Sequence, residues 1–130
     1  MHTTPSEDFQ KKVAALIVRN SNVLDILTKC QTSCARLCRS TVKSATGCGC
    51  IKIVAEKSLS ALENTSDFSP KDMSGITGDL CNDCQSSIEN EIGETLFYIA
   101  SLCNALGVSM NDIMQREIKN VEALGKYSLR

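Results

Sequence analysis

The chain has 130 residues, a formal net charge of −1 and 42% hydrophobic residues. That composition excludes a disordered chain, and the near-neutral charge leaves no basic face to hold nucleic acid non-specifically. Trp is absent and aromatics make up 4%, so the core must be built from Leu, Ile, Val, Ala, Met and Cys, a set that suits packed helices better than stacked sheets.

The N-terminus reads Met-His-Thr-Thr-Pro-Ser-Glu-Asp. It lacks a basic segment followed by an apolar stretch, so no signal peptide is expected. No apolar run has the length of a bilayer span. A cytoplasmic protein without membrane association is the expectation. In that reducing compartment the eight cysteines read as core residues, metal ligands or redox groups rather than disulfides.

Taken in chain order, Thr4-Pro5-Ser6-Glu7 is a helix start: Thr4 caps, Pro5 suits the first position and Glu7 can close a capping box. Phe9, Val13, Leu16 and Ile17 follow at helical spacing. The polar run Arg19 to Asn22 ends this helix, and Asn22 caps the next. The second helix is predicted over about 23–45. Its apolar stripe is Val23, Ile26, Leu27, Cys30, Cys34 and Leu37, continuing to Cys38 and Val42. Gly47 and Gly49 break it. A shorter helix is expected near 51–63, then a polar stretch over 64–80 with one helical turn starting at Ser69-Pro70. The main helix, 81–106, carries a seam of Ile88, Ile92, Leu96, Ile99, Cys103 and Leu106. Gly107 caps it. Ser109 and Asp112 then open a last helix over about 110–124, with Ile113, Met114, Ile118, Val121 and Leu124 expected to be buried. The prediction is a single all-α domain of four to five helices, without strands. Residues 4–22 form its first helix and turn, and 46–84 a cysteine-containing insert between the two central helices.

Two cysteine pairs stand out, Cys48-Gly-Cys50 and Cys81-Asn-Asp-Cys84. Each spacing lets two thiolates share one ion, and Zn²⁺ takes four such ligands in a tetrahedron. The first pair sits where the second helix ends and the second where the main helix begins. Antiparallel packing of those helices would bring the pairs together. Buried free thiols, a redox pair or an iron–sulfur site are the alternatives for the same residues. Cys30, Cys34 and Cys38 recur every four residues and read as small core hydrophobes. The sharper alternative is a thiol-lined store for a soft metal such as Cu(I), with Cys103 facing them, or a redox sensor.

On the main helix Glu91 and Glu94 share a face, with Tyr98 one turn on. Gly93 between them costs helix stability. The segment from Glu91-Ile-Gly-Glu94 through Leu106-Gly107-Val108-Ser109 and Asp112-Ile113 to Gly125-Lys126-Tyr127 resembles the second half of MazG-like nucleoside triphosphate pyrophosphohydrolases. The resemblance covers about residues 88–127. It implies an all-α bundle in which two helices each present a pair of acids, in Glu-x-x-Glu and Glu-x-x-Asp motifs, that hold Mg²⁺ on a triphosphate while water displaces pyrophosphate. By resemblance Glu91 and Glu94 match the second motif, with Glu at 94 where the family has Asp. Lys119, Asn120 and Lys126 fall where the family has basic and amide groups near the nucleotide. The resemblance also implies a homodimer or homotetramer, and a nucleotide or related phosphate compound as partner.

The first acid pair of that family belongs on the second helix. If the cysteine pairs meet, Glu91 stands roughly 10 Å from them along the main helix. The same distance back along the second helix reaches Cys38, Arg39, Ser40 and Thr41, none a carboxylate. Asp25 is far from this level, and Glu56 and Glu63 on the expected short helix do not form the motif. The expectation is therefore a MazG-like domain binding a nucleotide through Mg²⁺ and hydrolysing it to monophosphate and pyrophosphate. The alternative is a catalytically inactive, zinc-stabilised binding or regulatory domain on the same fold.

Overall fold

The computed structural model describes residues 2–16, 22–54 and 69–128, the last three by backbone alone. The chain forms two compact units: Met1–Thr32 with Glu94–Arg130, and Ser33–Gly93. Four α-helices are described, α1 (Pro5–Ala15), α2 (Val23–Lys43), α3 (Asn82–Leu106) and α4 (Met110–Ser128), with one small sheet of β1 (Ile51–Ile53) and β2 (Ile76–Gly78). The fold is mostly helical, as composition predicts. Among the described residues no single helix is long and apolar enough to cross a membrane.

In the first unit the helix ends follow the local chemistry of the sequence. Thr4 Oγ1 accepts the Glu7 N–H at 3.2 Å and Pro5 opens α1. Asn22 Oδ1 accepts the Leu24 N–H at 2.9 Å at the start of α2. Gly107 sits at φ +71°, where the Val108 N–H reaches back to the Cys103 carbonyl at 3.0 Å and stops α3. Ser109 Oγ accepts the Asp112 N–H at 3.2 Å and starts α4.

The core of this unit is small: Val13, Ala100, Cys103 and Met110, with Phe9 and Phe97 packed against them. Beside it Gln10 ties three elements. Its amide nitrogen donates to the Val108 carbonyl at 2.8 Å and to Asn104 Oδ1 at 3.0 Å, and its oxygen accepts the Met110 N–H at 2.8 Å.

In the second unit α2 widens into a π-helical turn over Ser44–Cys48, and Gly49 ends it at φ +83°. β1 then pairs antiparallel with β2, Ile51 opposite Gly78 and Ile53 opposite Ile76. The Val54 N–H extends the pairing to the Gly75 carbonyl at 2.8 Å. Ahead of β2 the expected Ser69-Pro70 turn is present. The Asp72 carboxylate accepts from the Ser69 N–H at 3.0 Å and from its hydroxyl at 2.9 Å.

Four expectations are corrected. Residues 51–53 are a strand and not the start of a helix; the rest of the expected short helix, with Glu56 and Glu63, lies outside the described residues. Ile51, Ile53, Val54, Ile76 and Thr77 are β-branched, and the antiparallel pairing stabilises them as a ribbon. Cys34 and Cys38 are exposed, not core. The buried positions of α2 are Ile26, which lies on the predicted stripe, and Ser33, which does not, while Cys30 and Leu37 of the stripe are half-buried. The α3 seam is buried only at Cys103, with Ile92, Leu96, Ile99 and Leu106 exposed. The α4 stripe is likewise exposed within one chain.

Candidate metal centre

Four cysteines of the second unit meet at one point. Cys48 closes the π-helical turn, Cys50 precedes β1, and Cys81 and Cys84 sit at the start of α3. Their Sγ atoms all lie within 4.8 Å of one another. Cys48 Sγ and Cys81 Sγ are 3.8 Å apart. A tetrahedral ion with bonds of about 2.3 Å to sulfur spaces its ligands about 3.8 Å apart, so the group is the size of a single four-thiolate ion site. An iron–sulfur cluster places cysteines on separate irons and needs a wider set than this. None of the cysteines forms a disulfide.

The backbone positions each sulfur. The Gly49 N–H donates to the Ser44 carbonyl at 2.9 Å, turning the chain sharply between Cys48 and Cys50. The Cys50 thiol reaches the same carbonyl at 3.7 Å. Gly49 adopts a left-handed conformation that a larger residue resists. On the other side the Gln85 N–H bonds the Cys81 carbonyl at 2.9 Å, so Cys81 stands as the first cap of α3. The Cys84 N–H donates to Cys81 Sγ at 3.4 Å. The ribbon holds the two halves in register. A Cβ on Gly78 would come within 2.8 Å of the Cys50 carbonyl oxygen, so β2 passes the ligand loop at backbone contact.

The electrostatics favour one thiolate first. The Cys84 N–H, then the Cys84 thiol, hydrogen-bond to Cys81 and lower it to about 7. The positive end of the α3 helix dipole acts in the same sense. At Cys84 the Ser44 hydrogen bond favours the thiolate, but donation toward Cys81, with burial, outweighs it and raises this thiol to about 12. Cys48 is also raised: its hydrogen bond with Cys84 favours ionisation, while that with Cys81 and burial oppose it. Four thiols this close cannot all ionise without a cation among them. A bound divalent ion would deprotonate the set.

The other predicted site residues are placed as follows. Glu91, Glu94 and Tyr98 lie half-buried on one side of α3, and the Tyr98 ring packs edge-on to Phe97 with centroids 5.3 Å apart. Lys119 and Asn120 are exposed on α4. The Lys126 side chain lies outside the described residues. Asp25 pairs with Lys29 at 3.2 Å. Cys30 is half-buried and Cys103 belongs to the core of the first unit, outside the four-cysteine cluster. Sequence reasoning named all four clustered cysteines. It missed the π-helical turn, the Ser44 carbonyl and the glycine contact of β2. The β-branched alternation around Ile51 and Gly78 was the available signal.

Compared with known proteins, the chain matches no family profile, no curated protein and no solved structure.

Proposed function

We propose that this protein is a metal-clamped helical domain whose Cys48, Cys50, Cys81 and Cys84 bind one Zn²⁺ as a structural ion. The convergence of four Sγ atoms within 4.8 Å carries this reading. All four positions around the ion are taken by protein thiolates, which leaves no open position for substrate and marks a structural site over a catalytic one. The bound ion supplies folding energy by joining the end of α2 to the start of α3 through a ribbon too short to be stable alone. Protein purified under reducing conditions is expected to carry about one zinc per chain. Cobalt substitution should give the visible bands of tetrahedral thiolate ligation. Cys81→Ser should lose the ion and unfold at lower temperature. Less than about half an equivalent of zinc, with no uptake on reconstitution, rejects the site.

A second reading concerns the same helix that starts at the centre. Glu91 and Glu94, half-buried on one face of α3, fit a pair of Mg²⁺ ligands for a nucleotide, consistent with the MazG-like resemblance. On this reading Tyr98, Lys119, Asn120 and Lys126 contact the nucleotide. Water displaces pyrophosphate from a nucleoside triphosphate, leaving the monophosphate. Pyrophosphate release from a nucleotide panel with Mg²⁺ or Mn²⁺ tests it. Turnover that survives Glu91→Ala with Glu94→Ala would reject these ligands. Binding without turnover favours a regulatory domain.

A further inference from the structure

Zn²⁺ has no redox chemistry of its own, so any electrons drawn from the four-cysteine centre come from its sulfurs. With the ion bound all four are thiolates, and access rather than ionisation decides which reacts first. Cys48 is the exposed member of the set, while Cys50, Cys81 and Cys84 are half-buried. It ends the π-helical turn, with Gly47 before it and Gly49 after it. Among the described residues, no atom outside their own turn comes within 4 Å of where a Cβ would stand on either glycine. Solvent therefore reaches Cys48 past bare backbone. Its sulfur also has a partner at hand: Cys48 Sγ and Cys81 Sγ are 3.8 Å apart, from positions separated by 33 in the chain. Bridging Cys48 to Cys50 instead would close a ring around Gly49 alone, in a turn already fixed by the Ser44 carbonyl, and would store strain. Bridging Cys81 to Cys84 joins two half-buried sulfurs. A Cys48–Cys81 bond closes a long loop, where a disulfide constrains the unfolded chain most.

We propose that Cys48 and Cys81 form a site of reversible oxidation, at which a hydroperoxide exchanges the zinc clamp for a Cys48–Cys81 disulfide and releases the ion. This inference rests on the zinc reading above. Cys48 Sγ attacks the peroxide, the O–O bond breaks, one oxygen stays on the sulfur as a sulfenic acid and the other leaves as hydroxide. The Cys81 thiolate then attacks Cys48 Sγ. The S–S bond forms, the S–O bond breaks and a second hydroxide leaves. Two sulfurs have given up two electrons, one peroxide has taken them, and solvent protonates both hydroxides. Cys50 and Cys84 remain as two ligands where zinc takes four, so the ion dissociates. A dithiol reductant reverses the bond by exchange and restores the ligand set. The disulfide joins the same two places as the ion did, the end of α2 and the start of α3. Oxidation therefore removes zinc without releasing the β1–β2 ribbon, which a chelator does not achieve.

The test treats zinc-loaded full chain with hydrogen peroxide, following zinc release with a metal-sensitive dye and mapping bonds by tandem mass spectrometry. Zinc content is measured first. A chain that holds no zinc rejects the zinc reading and this one with it. A chain that holds zinc is expected to release it at least about tenfold faster with peroxide than without. About one Cys48–Cys81 disulfide should form per ion released, and dithiothreitol with added zinc should restore the starting state. Hydrogen exchange at Ile51–Ile53 should stay near the zinc-loaded level after oxidation. Cys34 and Cys38 are exposed thiols outside the centre, so Cys34→Ser with Cys38→Ser should leave the release rate within about twofold. Zinc retained under peroxide overturns the proposal and leaves the zinc reading standing. So does release accompanied by a different disulfide, or release that disappears in the Cys34→Ser, Cys38→Ser variant.

Discussion

At the scale of single residues, the cysteine centre is controlled by where the first negative charge sits. Cys81 caps α3 and receives the Cys84 N–H, which lowers it from 9.0 to about 7. Its neighbour Cys84 moves the other way, to about 12. Metal-free, reduced protein should therefore be alkylated first at Cys81, at a rate that rises through about pH 7, and last at Cys84, as peptide mass mapping after brief iodoacetamide treatment would show. Stability follows the same ordering. Cys81 ionises more readily folded than unfolded, so its contribution grows from pH 7 to 9 and is lost as pH falls through 7. Cys84 holds its proton more tightly when folded, so its contribution is present below 9 and is lost as pH rises toward 12. Metal-free protein should thus be most stable near pH 9, and denaturant midpoints on either side check it. Equal reactivity of all four thiols at pH 7 would contradict the capping role of Cys81.

At the scale of elements, the ribbon is the part that converts two sequence-distant cysteine pairs into one site. Gly78 lines β2 at φ +92°, with the Cys50 carbonyl oxygen 2.8 Å from where its Cβ would stand. Gly49 has a similar φ of +83° but nothing within 4 Å of its Cβ position. The two glycines separate conformational strain from steric contact. Gly49→Ala should cost about 1–2 kcal/mol of stability through the left-handed backbone alone. Gly78→Ala should cost roughly 1–3 kcal/mol for the same conformation, and more for the clash, because the obstructing atom is backbone. Only the second displaces Cys50, so zinc affinity should fall further for Gly78→Ala. Parallel unfolding curves and chelator competition on both variants measure the difference.

For the whole molecule, the division into two units predicts unequal responses to metal removal. The described core of Met1–Thr32 with Glu94–Arg130 rests on Val13, Ala100, Cys103, Met110 and the bonds of Gln10, none of which is one of the four clustered cysteines. Ser33–Gly93 has few buried residues, Ser33, Ser44 and Ile51 among those described. A chelator should therefore raise amide hydrogen exchange at Ile51–Ile53 and Ile76–Gly78 by at least about tenfold, while amides of α1 and the α3–α4 turn change little. Uniform loss of protection would show that the ion holds both units.

The sequence by itself determined the helix ends, because capping is a contact between residues a few positions apart. Thr4, Asn22, Gly107 and Ser109 all do in the fold what their local neighbours imply. It also named Cys48, Cys50, Cys81 and Cys84, since the spacing within each pair limits how two sulfurs can meet. Three things were decided by tertiary structure. The pairing of Ile51–Ile53 with Ile76–Gly78 joins residues far apart in the chain, and a run this short carries no period that separates strand from helix. Which edge of the α2 stripe is covered, burying Ser33 beside Ile26 and exposing Cys34 and Cys38, depends on what packs against it. The apolar faces of α3 and α4 were legible as faces, but a hydrophobic stripe reads the same whether it is covered by its own chain or by another.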